Sequence, residues 1–234
     1  MKKIAIYGAG GFGREVKMLI DQINETKSKY SQWDFKGYYD DGMEKGRMVN
    51  GFPVLGGAED LNSIEEPMAL LVAIGNPKVK KSIIEKISNN NISYPVLIHP
   101  NVQIGTDEVK IGEGTIICAG CIITVNISIG KHVILNLGCT IGHDTIIGDY
   151  CSFMPAINIS GEVTIYEGVY CGTGAKIINQ ATVGAGTVIG MGAVVTKSLP
   201  EGCTAVGMPA QPVKFHNTVP AGNKVESKNT ITQQ

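Results

Sequence analysis

The fold is decided by residues 111–195, which read IGEGTIICAGCIITVNISIGKHVILNLGCTIGHDTIIGDYCSFMPAINISGEVTIYEGVYCGTGAKIINQATVGAGTVIGMGAVV. From Ile111 to Val195 every sixth residue is aliphatic or a near substitute, so fifteen consecutive hexapeptides keep one phase. A globular helix repeats its apolar stripe at steps of three and four residues, and a strand of an open sheet at steps of two. A fixed period of six therefore predicts a coiled parallel sheet.

Stacking of the hexapeptides predicts which residues meet. If each hexapeptide is a short strand and a corner, three of them make one coil, and residue n lies against residue n+18, about 4.8 Å along the ladder. The fourth residue after each aliphatic is mostly small and should also face the narrow interior. Glycine often follows the aliphatic directly, where we expect it to allow strained corners. These glycines are Gly112, Gly130, Gly142, Gly148, Gly172, Gly184 and Gly190.

Length and charge exclude several classes of protein. The 234 residues allow one or two domains, and a net charge of −1 gives no electrostatic reason to bind nucleic acid or an anionic membrane. Met1–Tyr7 leads directly into a predicted strand, so we expect no signal segment. No apolar run reaches the ~18 residues of a membrane span.

The cysteines fit a packed interior. Cys121, Cys139, Cys151 and Cys171 occupy inward positions of the repeat, and no metal-ligand spacing is present. We therefore expect core thiols without disulfides, no metal site, and a reducing cytoplasm as the location.

Residues 1–98 are expected to form a small α/β domain, a Rossmann-like half fold. Apolar runs alternate with helical spacing, which predicts a parallel sheet with ligands at the carboxyl ends of its strands. The predicted strands are Lys3–Tyr7, Phe35–Tyr39, Pro53–Leu55, Ala69–Ile74 and Tyr94–Ile98, and the predicted helices follow Gly13 and span Pro77–Ser88.

A glycine turn joins the first strand to the first helix. Gly8, Gly10 and Gly13 satisfy G-x-G-x-x-G, and backbone N–H groups with the helix dipole favour a phosphate there. Fewer than a hundred residues precede the repeats, about half of a two-lobed dinucleotide fold. A nucleotide-sugar therefore fits better than NAD, and a purely structural glycine turn stays an alternative.

His143 is the histidine best placed for acid–base chemistry. The imidazole of a histidine can take the proton of an attacking amine or hydroxyl near pH 7. His143 lies two residues after an inward aliphatic and therefore near a corner of the coil. The spacing alone leaves a solvated surface histidine as the alternative.

The eighteen-residue stack adds two expectations. Gly161 should lie one coil beyond His143, where a glycine leaves its N–H open to a ligand carbonyl. Gly172–Ala175 and Gly190–Ala193 should align as a smooth ledge, which suits an extended ligand. Glycines that serve the corners alone are the alternative.

Four motifs and the uninterrupted hexapeptides resemble the bacterial sugar acyltransferases of the sialic acid O-acetyltransferase group. Within that group the chain looks most similar to the nucleotide-linked 4-amino-sugar N-acetyltransferases. The motifs are GAGGFG at 8–13, YYDD at 38–41, VAIGNP at 72–77 and IHP at 98–100.

The resemblance implies an architecture and partners. A left-handed parallel β-helix at 99–215 would follow the α/β domain at 1–98, and 216–234 would be a disordered tail. Members of the group imply a homotrimer, acetyl-CoA bound between neighbouring coil domains as a cosubstrate, and a sugar nucleotide held by the N-terminal domain.

The resemblance also implies residue roles. His143 would be the general base, supported by Asp144, whose carboxylate would hold the imidazole tautomer unless it is simply solvated. Asn136 would orient the base or the thioester. The implied acetyl-CoA contacts are Ser152, the Gly161 amide, Thr173 and Met191. The implied nucleotide-sugar contacts are Gly10, Gly11, Phe12, Asp40, Asp41 and Gly75, with Phe12 and Ser152 standing where the group often has histidine.

The expected activity is transfer of acetyl from acetyl-CoA to the amino group of a nucleotide-linked amino sugar, of the UDP-4-amino-sugar type, in bacterial glycan synthesis. An O-acetyltransferase acting on sialic acid or another free or polysaccharide sugar is one alternative. A hexapeptide-repeat binding or scaffold protein without catalysis is the other.

Overall fold

The computed structural model describes residues 1–216, in which an α/β region is followed by a parallel β-helix. This architecture confirms the predicted fold class. The predicted tail at 216–234 lies outside the described residues, apart from His216.

The α/β region is a six-stranded sheet with helices against it. Its strands follow the order β3-β4-β2-β1-β5-β6, parallel throughout except for the antiparallel pair β3 and β4. The elements are β1 (Lys2–Tyr7), α1 (Gly11–Glu25), a 3-10 turn (Lys29–Ser31), β2 (Trp33–Tyr39), β3 (Met48–Val49), β4 (Phe52–Gly56), α2 (Ala58–Asn62), β5 (Met68–Val72), α3 (Pro77–Lys86) and β6 (Ile92–Ser93).

The last strand of this sheet is not the predicted Tyr94–Ile98, which was wrong. Ile92–Ser93 pairs with β5, whereas Leu97–Ile98 pairs with the β-helix. The side chain of Leu97 packs in the α/β core, and Ile98 packs against the core of the coil. In sequence, a run with apolar side chains on both faces is typical of a buried parallel strand. Here the two faces instead contact two different cores. The short helix α2 was also not predicted, and the domain division at residues 98 and 99 stays a prediction.

The β-helix consists of two-residue strands and a closing hairpin. They are β7 (Leu97–Ile98), β8 (Gln103–Ile104), β9 (Lys110–Ile111), β10 (Ile116–Ile117), β11 (Ile122–Ile123), β12 (Ser128–Ile129), β13 (Ile134–Leu135), β14 (Thr140–Ile141), β15 (Ile146–Ile147), β16 (Ser152–Phe153), β17 (Asn158–Ile159), β18 (Thr164–Ile165), β19 (Tyr170–Cys171), β20 (Lys176–Ile177), β21 (Thr182–Val183), β22 (Val188–Ile189), β23 (Val194–Val195), β24 (Cys203–Val206) and β25 (Gln211–Phe215).

These strands form the three faces of a triangular prism. Face 1 runs from β7 through β10, β13, β16, β19 and β22 to β24 and β25; face 2 contains β8, β11, β14, β17, β20 and β23; face 3 contains β9, β12, β15, β18 and β21. We name the corners edge 1–2 (such as 136–139 and 172–175), edge 2–3 (such as 124–127, 142–145 and 160–163) and edge 3–1 (such as 130–133 and 148–151).

The register confirms the eighteen-residue stack. Thr140 pairs with Asn158, and the same offset recurs through the repeats. The coil also starts two strands before Ile111, because Leu97 of β7 already pairs with Ile116 of β10, at an offset of nineteen residues. From Ile117 onward the inward aliphatic positions are buried, and so are all the fourth positions from Thr115 to Leu199. The small inward residues thus fill the prism, as predicted.

The glycine that directly follows many inward aliphatics does not supply the strained backbone that we predicted. The left-handed backbone falls at the third residue after each inward aliphatic: every sixth residue from Gly114 to Gly192 has a φ between 53° and 75°. Asn, Asp, Glu, Gln, His, Tyr and Ala also occupy this position, so glycine is optional there. At the first residue, a Cβ on Gly148 would lie 2.7 Å from the backbone nitrogen of Glu167 in the next coil. Close approach of the coils, not backbone strain, therefore disfavours a side chain at these glycines, although Cys118, Thr124 and Asn136 occupy the same position in other repeats.

The α/β region covers face 1 of the prism. Leu97, Ile116 and Cys118 belong to the same buried cluster as Ile6 and Val16 of the α/β core. Faces 2 and 3 carry partly exposed outward residues instead, such as Ile122 and Ile146. One face is therefore reserved for the N-terminal region.

Two glycines of edge 3–1 test the two steric roles. Gly186 has a φ of 63° and open space around its missing Cβ, so Gly186→Asn should change the free energy of unfolding by less than ~1 kcal/mol. Gly148→Asn should cost about 1–3 kcal/mol or more, because the next coil has to move. Urea unfolding of both variants measures the difference. Equal losses at the two positions would contradict this account of the corners.

Candidate active site

His143 and Asp144 form a hydrogen-bonded pair on edge 2–3. They follow the inward Ile141, whose strand β14 ends where the coil turns. Nδ1 of His143 lies 2.7 Å from Oδ2 of Asp144, and the two side chains are 57% and 49% exposed. The left-handed backbone of Asp144 (φ 57°) lets adjacent residues bring their side chains together. With Nδ1–H donating to the carboxylate, Nε2 carries the lone pair and can accept a proton.

The Asp144 carboxylate has a second partner that was not predicted. Asn126 lies one coil earlier, and its Nδ2 donates to Oδ1 of Asp144 at 3.0 Å. The hydrogen bond from His143, and next the one from Asn126, hold the pKa of Asp144 below its usual range. The eighteen-residue rule that located Gly161 would also have located Asn126.

Gly161 lies directly against the imidazole, as the stack predicts. A Cβ at this position would be 2.5 Å from both Nε2 and Cε1 of His143, so only glycine leaves room for the ring. Among residues 1–216 no backbone acceptor bonds the Gly161 N–H. At the matching corner position of edge 3–1, the N–H of Lys131 donates to Oδ1 of Asp149 at 2.7 Å. Gly161 is buried beneath the imidazole, so a donor without a backbone acceptor lies next to a base, and such a donor can stabilise an oxyanion.

Asn136, Thr173 and Met191 lie on a different edge. All three follow strands of face 1 and therefore belong to edge 1–2, whereas His143 belongs to edge 2–3. Asn136 is buried, and its Oδ1 accepts a hydrogen bond from the N–H of Leu137 at 2.7 Å. The side chains of Thr173 and Met191 are exposed. One chain therefore does not bring these residues to the base.

The predicted ledge is present on edge 1–2. A Cβ on Gly174 or Gly192 would have no other atom within 4 Å, and a Cβ on Gly172 would meet the backbone of Met191 in the next coil. The two segments are thus stacked, with open backbone at Gly174 and Gly192 beside the exposed side chains of Thr173 and Met191.

Ser152 is enclosed by a lysine from the α/β region. Lys80 of α3 is fully buried, and its Nζ donates to Oγ of Ser152 at 2.8 Å and to the carbonyl oxygen of Cys151 at 3.2 Å. Ser152 is itself 0% exposed, so its side chain faces Lys80 and not a ligand edge. Burial lowers the pKa of Lys80 to about 7, because neither of these bonded partners is a carboxylate. Its surroundings in sequence, Lys78-Val79-Lys80-Lys81, give no sign of burial.

The glycine turn of the α/β region divides into structural and open positions. Gly8 has a φ of 106°, and a Cβ at Gly13 would collide with the carbonyl oxygen of Gly8. Gly10 and Gly11 have nothing within 4 Å of a Cβ and are exposed. Gly10 caps α1 without a side chain, so no side chain of the N-cap bonds the first-turn N–H groups. Phe12 is half-buried beside the α/β core.

Asp40 and Asp41 hold the loops at the carboxyl end of the sheet. Asp40 accepts from the N–H groups of Ala9 and Gly42, both at 2.9 Å, and Asp41 accepts from that of Ala58 at 2.9 Å. Both carboxylates also line two cavities of about 760 and 430 Å³. They are therefore structural and still reachable by a ligand.

Gly75 lies at the junction with the coil. A Cβ on Gly75 would be 3.8 Å from Cε of Met154, and both residues line a cavity of about 530 Å³ that also includes Tyr170 and His216. The predicted nucleotide-sugar residues thus fall into two places, near the glycine turn and at the coil. Their binding roles, like those on the edges, stay predictions.

Within residues 1–216 no group of three or more His, Cys, Asp or Glu side chains is arranged to hold a metal ion. In the same range, no helix combines the length and apolar character needed to cross a bilayer.

Fold and edge geometry define the class as a left-handed β-helix acyltransferase. Residues 3–87 match the PglD N-terminal domain. The chain is 36% identical over 220 residues to GDP-perosamine N-acetyltransferase of Escherichia coli O157:H7, covering 92% of this chain and 97% of that protein. The chain belongs to the family of acetyl-CoA-dependent sugar N-acetyltransferases, as the motifs predicted.

Solved structures agree with this family. WeeI from Acinetobacter baumannii AYE superposes with a TM-score of 0.80 at 37% identity, covering 91% of this chain and 100% of that one. The acetyltransferase domain of PglB from Neisseria gonorrhoeae FA1090, in complex with acetyl coenzyme A, gives 0.78 at 33% identity, with coverage of 91% and 99%.

The buried lysine predicts a pH dependence of stability. Unfolded Lys80 keeps its proton to pH ~10.5, whereas the folded protein releases it near 7, so between these values the unfolded state binds more protons. The free energy of unfolding should therefore rise with pH above 7, by up to ~1.4 kcal/mol per pH unit from this group. Lys80→Met should lack that contribution, so the difference between variant and wild type should change between pH 7 and pH 9.

Lys81→Met is the matched control, since Lys81 is the next residue of α3 and is partly exposed beside Glu167. Urea titrations of the three proteins at both pH values make the comparison. Parallel pH slopes for wild type and Lys80→Met would show that Lys80 titrates normally in the folded protein.

Proposed function

We propose that this protein transfers the acetyl group of acetyl-CoA to the amino group of a nucleotide-linked amino sugar, with His143 as general base. The observation that carries the proposal is the stack of the His143 imidazole on Gly161, with Asp144 hydrogen-bonded to Nδ1. The stack puts a proton acceptor beside a backbone N–H that has no backbone acceptor among residues 1–216.

In the proposed reaction the neutral amine attacks the thioester carbonyl carbon, and Nε2 of His143 takes the proton that the nitrogen loses. The imidazolium that forms is stabilised by the Asp144 carboxylate on Nδ1. The carbonyl oxygen becomes an oxyanion and accepts the Gly161 N–H. Collapse of the tetrahedral intermediate breaks the carbon–sulfur bond, and the CoA thiolate leaves with the proton held by His143.

The site is completed by a second copy of the chain. His143 lies on edge 2–3 and the ledge of Thr173 and Met191 on edge 1–2, with face 2 between them in one chain. If edge 1–2 of one copy lies against edge 2–3 of the next, the base and the ledge come together. Repeating this contact between copies closes a ring. We infer the homotrimer that the family resemblance implies, in which acetyl-CoA lies between copies and the half-exposed His143 becomes covered.

The α/β region is proposed as the nucleotide-sugar domain, spanning residues 1–98 before a coil domain at 99–215. Support comes from the open Gly10 and Gly11 at the start of α1, where the diphosphate would accept backbone N–H groups. The cavities beside Asp40 and Asp41 would take the nucleoside. Gly75, at the coil, would guide the sugar toward the edge.

The similar protein of Escherichia coli O157:H7 is a GDP-perosamine N-acetyltransferase, which favours N-acetylation of a nucleotide-linked sugar over the two alternatives. That name also adds GDP to UDP as a candidate nucleotide. We place the reaction in bacterial surface-glycan synthesis in the cytoplasm, where free thiols such as the six buried cysteines persist.

His143→Ala should lower kcat by about 10²–10⁴-fold, because the attacking amine then loses its proton acceptor. Thiol release from acetyl-CoA is measured with GDP- and UDP-linked amino sugars, and with free sialic acid. His132→Ala is not a suitable control, since His132 is buried between Tyr94 and Tyr150. Lys110→Ala serves instead, because the Lys110 side chain is 77% exposed and lies at the start of the coil.

Two outcomes would contradict the proposed function. An intact His143→Ala protein with wild-type turnover would remove His143 from the role of general base. Turnover with free sialic acid alone would exclude a nucleotide-linked sugar as the acceptor.

Co-expression of two defective chains tests the shared site. His143→Ala removes the base, and Thr173→Trp fills the ledge, so each homotrimer should be inactive. In randomly mixed trimers about a quarter of the interfaces pair an intact base with an intact ledge, which should restore up to about a quarter of wild-type activity. A mixture as inactive as its parents would contradict a site that is shared between copies.

A further inference from the structure

Edge 2–3 carries two amide–carboxylate pairs in successive coils. Asn126, Asp144, Glu162 and Gln180 occupy the left-handed corner position, with φ between 56° and 61°. Asn126 Nδ2 donates to Asp144 Oδ1, and Gln180 Nε2 donates to Glu162 Oε2, both at 3.0 Å. The two pairs share backbone geometry, register and chemistry. Only the first contains a side chain bonded to the His143 imidazole, whereas Glu162 of the second contacts His143 through its backbone N–H, which donates to the His143 carbonyl oxygen at 2.8 Å.

Asn126 supplies the restraint that Asp144 lacks by itself. Asp144 is 49% exposed, so water competes for its carboxylate, and one bond to the imidazole leaves the carboxyl group free to rotate. The bond to Asn126 uses the other oxygen and fixes the carboxyl plane. Two hydrogen bonds fix the backbone around Asn126. The N–H of Asn126 donates to the carbonyl oxygen of Asp107 at 2.9 Å, and the N–H of Asp144 donates to the carbonyl oxygen of Val125 at 3.1 Å.

We propose that Asn126 is a positioning residue for catalysis, which orients the Asp144 carboxylate and through it the His143 imidazole. The proposal rests on the proposed function, because it requires His143 to be the base. An amide suits the task, since it donates to the carboxylate without adding a charge that would compete for the imidazolium. An aspartate at the same place would set two carboxylates against each other.

The experiment compares Asn126→Ala with Gln180→Ala in the full-length enzyme. Both variants remove an amide from the same left-handed corner position, so the backbone cost of alanine is matched. We expect Asn126→Ala to lower kcat about tenfold, the loss of a hydrogen bond to a charged group, with KM for both substrates unchanged. Gln180→Ala should keep kcat within about twofold. Asn126→Gly and Gln180→Gly form a second matched pair without the left-handed strain, for use if alanine prevents folding.

A double-mutant cycle with Asp144→Ala decides whether Asn126 acts through the carboxylate. If it does, Asn126→Ala has no further effect on kcat once Asp144 is alanine. A second tenfold loss in that background, or equal losses for Asn126→Ala and Gln180→Ala, would overturn the proposal. The proposed function fails separately, through full activity of His143→Ala, whereas an inactive His143→Ala with a fully active Asn126→Ala rejects the positioning role alone.

Discussion

The close approach of successive coils is the constraint on which the structure depends. Parallel strands of two residues pair every eighteen positions, and the backbone of each corner passes directly over the next. Where glycine is the first corner residue, a Cβ would meet the next coil, as a Cβ on Gly142 would meet the backbone of Ser160 and Gly161. At the second corner residue the side chain points away from the prism and can cover its neighbour one coil on. The contact between His143 and Gly161 is one instance of this rule.

The same corner geometry gives each edge a separate chemical character. Edge 2–3 carries the His143–Asp144–Asn126 chain, and edge 1–2 carries small residues and open backbone. Edge 3–1 packs His132 between Tyr94 and Tyr150, where burial and the charge of Lys80 lower the pKa of the histidine to about 4. Because one chain cannot fold one edge onto another, a reaction that needs two edges needs two chains.

The contact of Lys80 with Ser152 joins the α/β region to the coil, but burying the lysine lowers the free energy of unfolding. A lysine enclosed with uncharged oxygen acceptors loses most of its hydration, which favours its neutral form and weakens folding below pH ~10. The bond it makes to Ser152 aligns α3 with β16, and five residues earlier Gly75 lies against Met154. The placement of the Gly75 loop relative to the coil therefore follows from a contact that stabilises the fold only weakly.

The sequence could predict a contact when the residues that form it follow the hexapeptide repeat. The interior positions, the stack of Gly161 under His143 and the two aligned glycine segments all follow from a period of six and an offset of eighteen. Asn126 obeys the same offset and could have been found by it. The reason for the corner glycines could not, because their collision partners lie one coil away and only the stacked backbones reveal them.

By itself, then, the sequence determined the β-helix, its interior and the family, since a periodic pattern specifies contacts at fixed separations along the chain. The non-periodic contacts were decided by the tertiary structure. Leu97–Ile98 joins the coil rather than the sheet, Lys80 encloses Ser152, and Asp40 and Asp41 cap loops. The first two contacts depend on how two differently folded regions pack together, and those of Asp40 and Asp41 on how the loops of the sheet meet. No spacing along the chain encodes either arrangement.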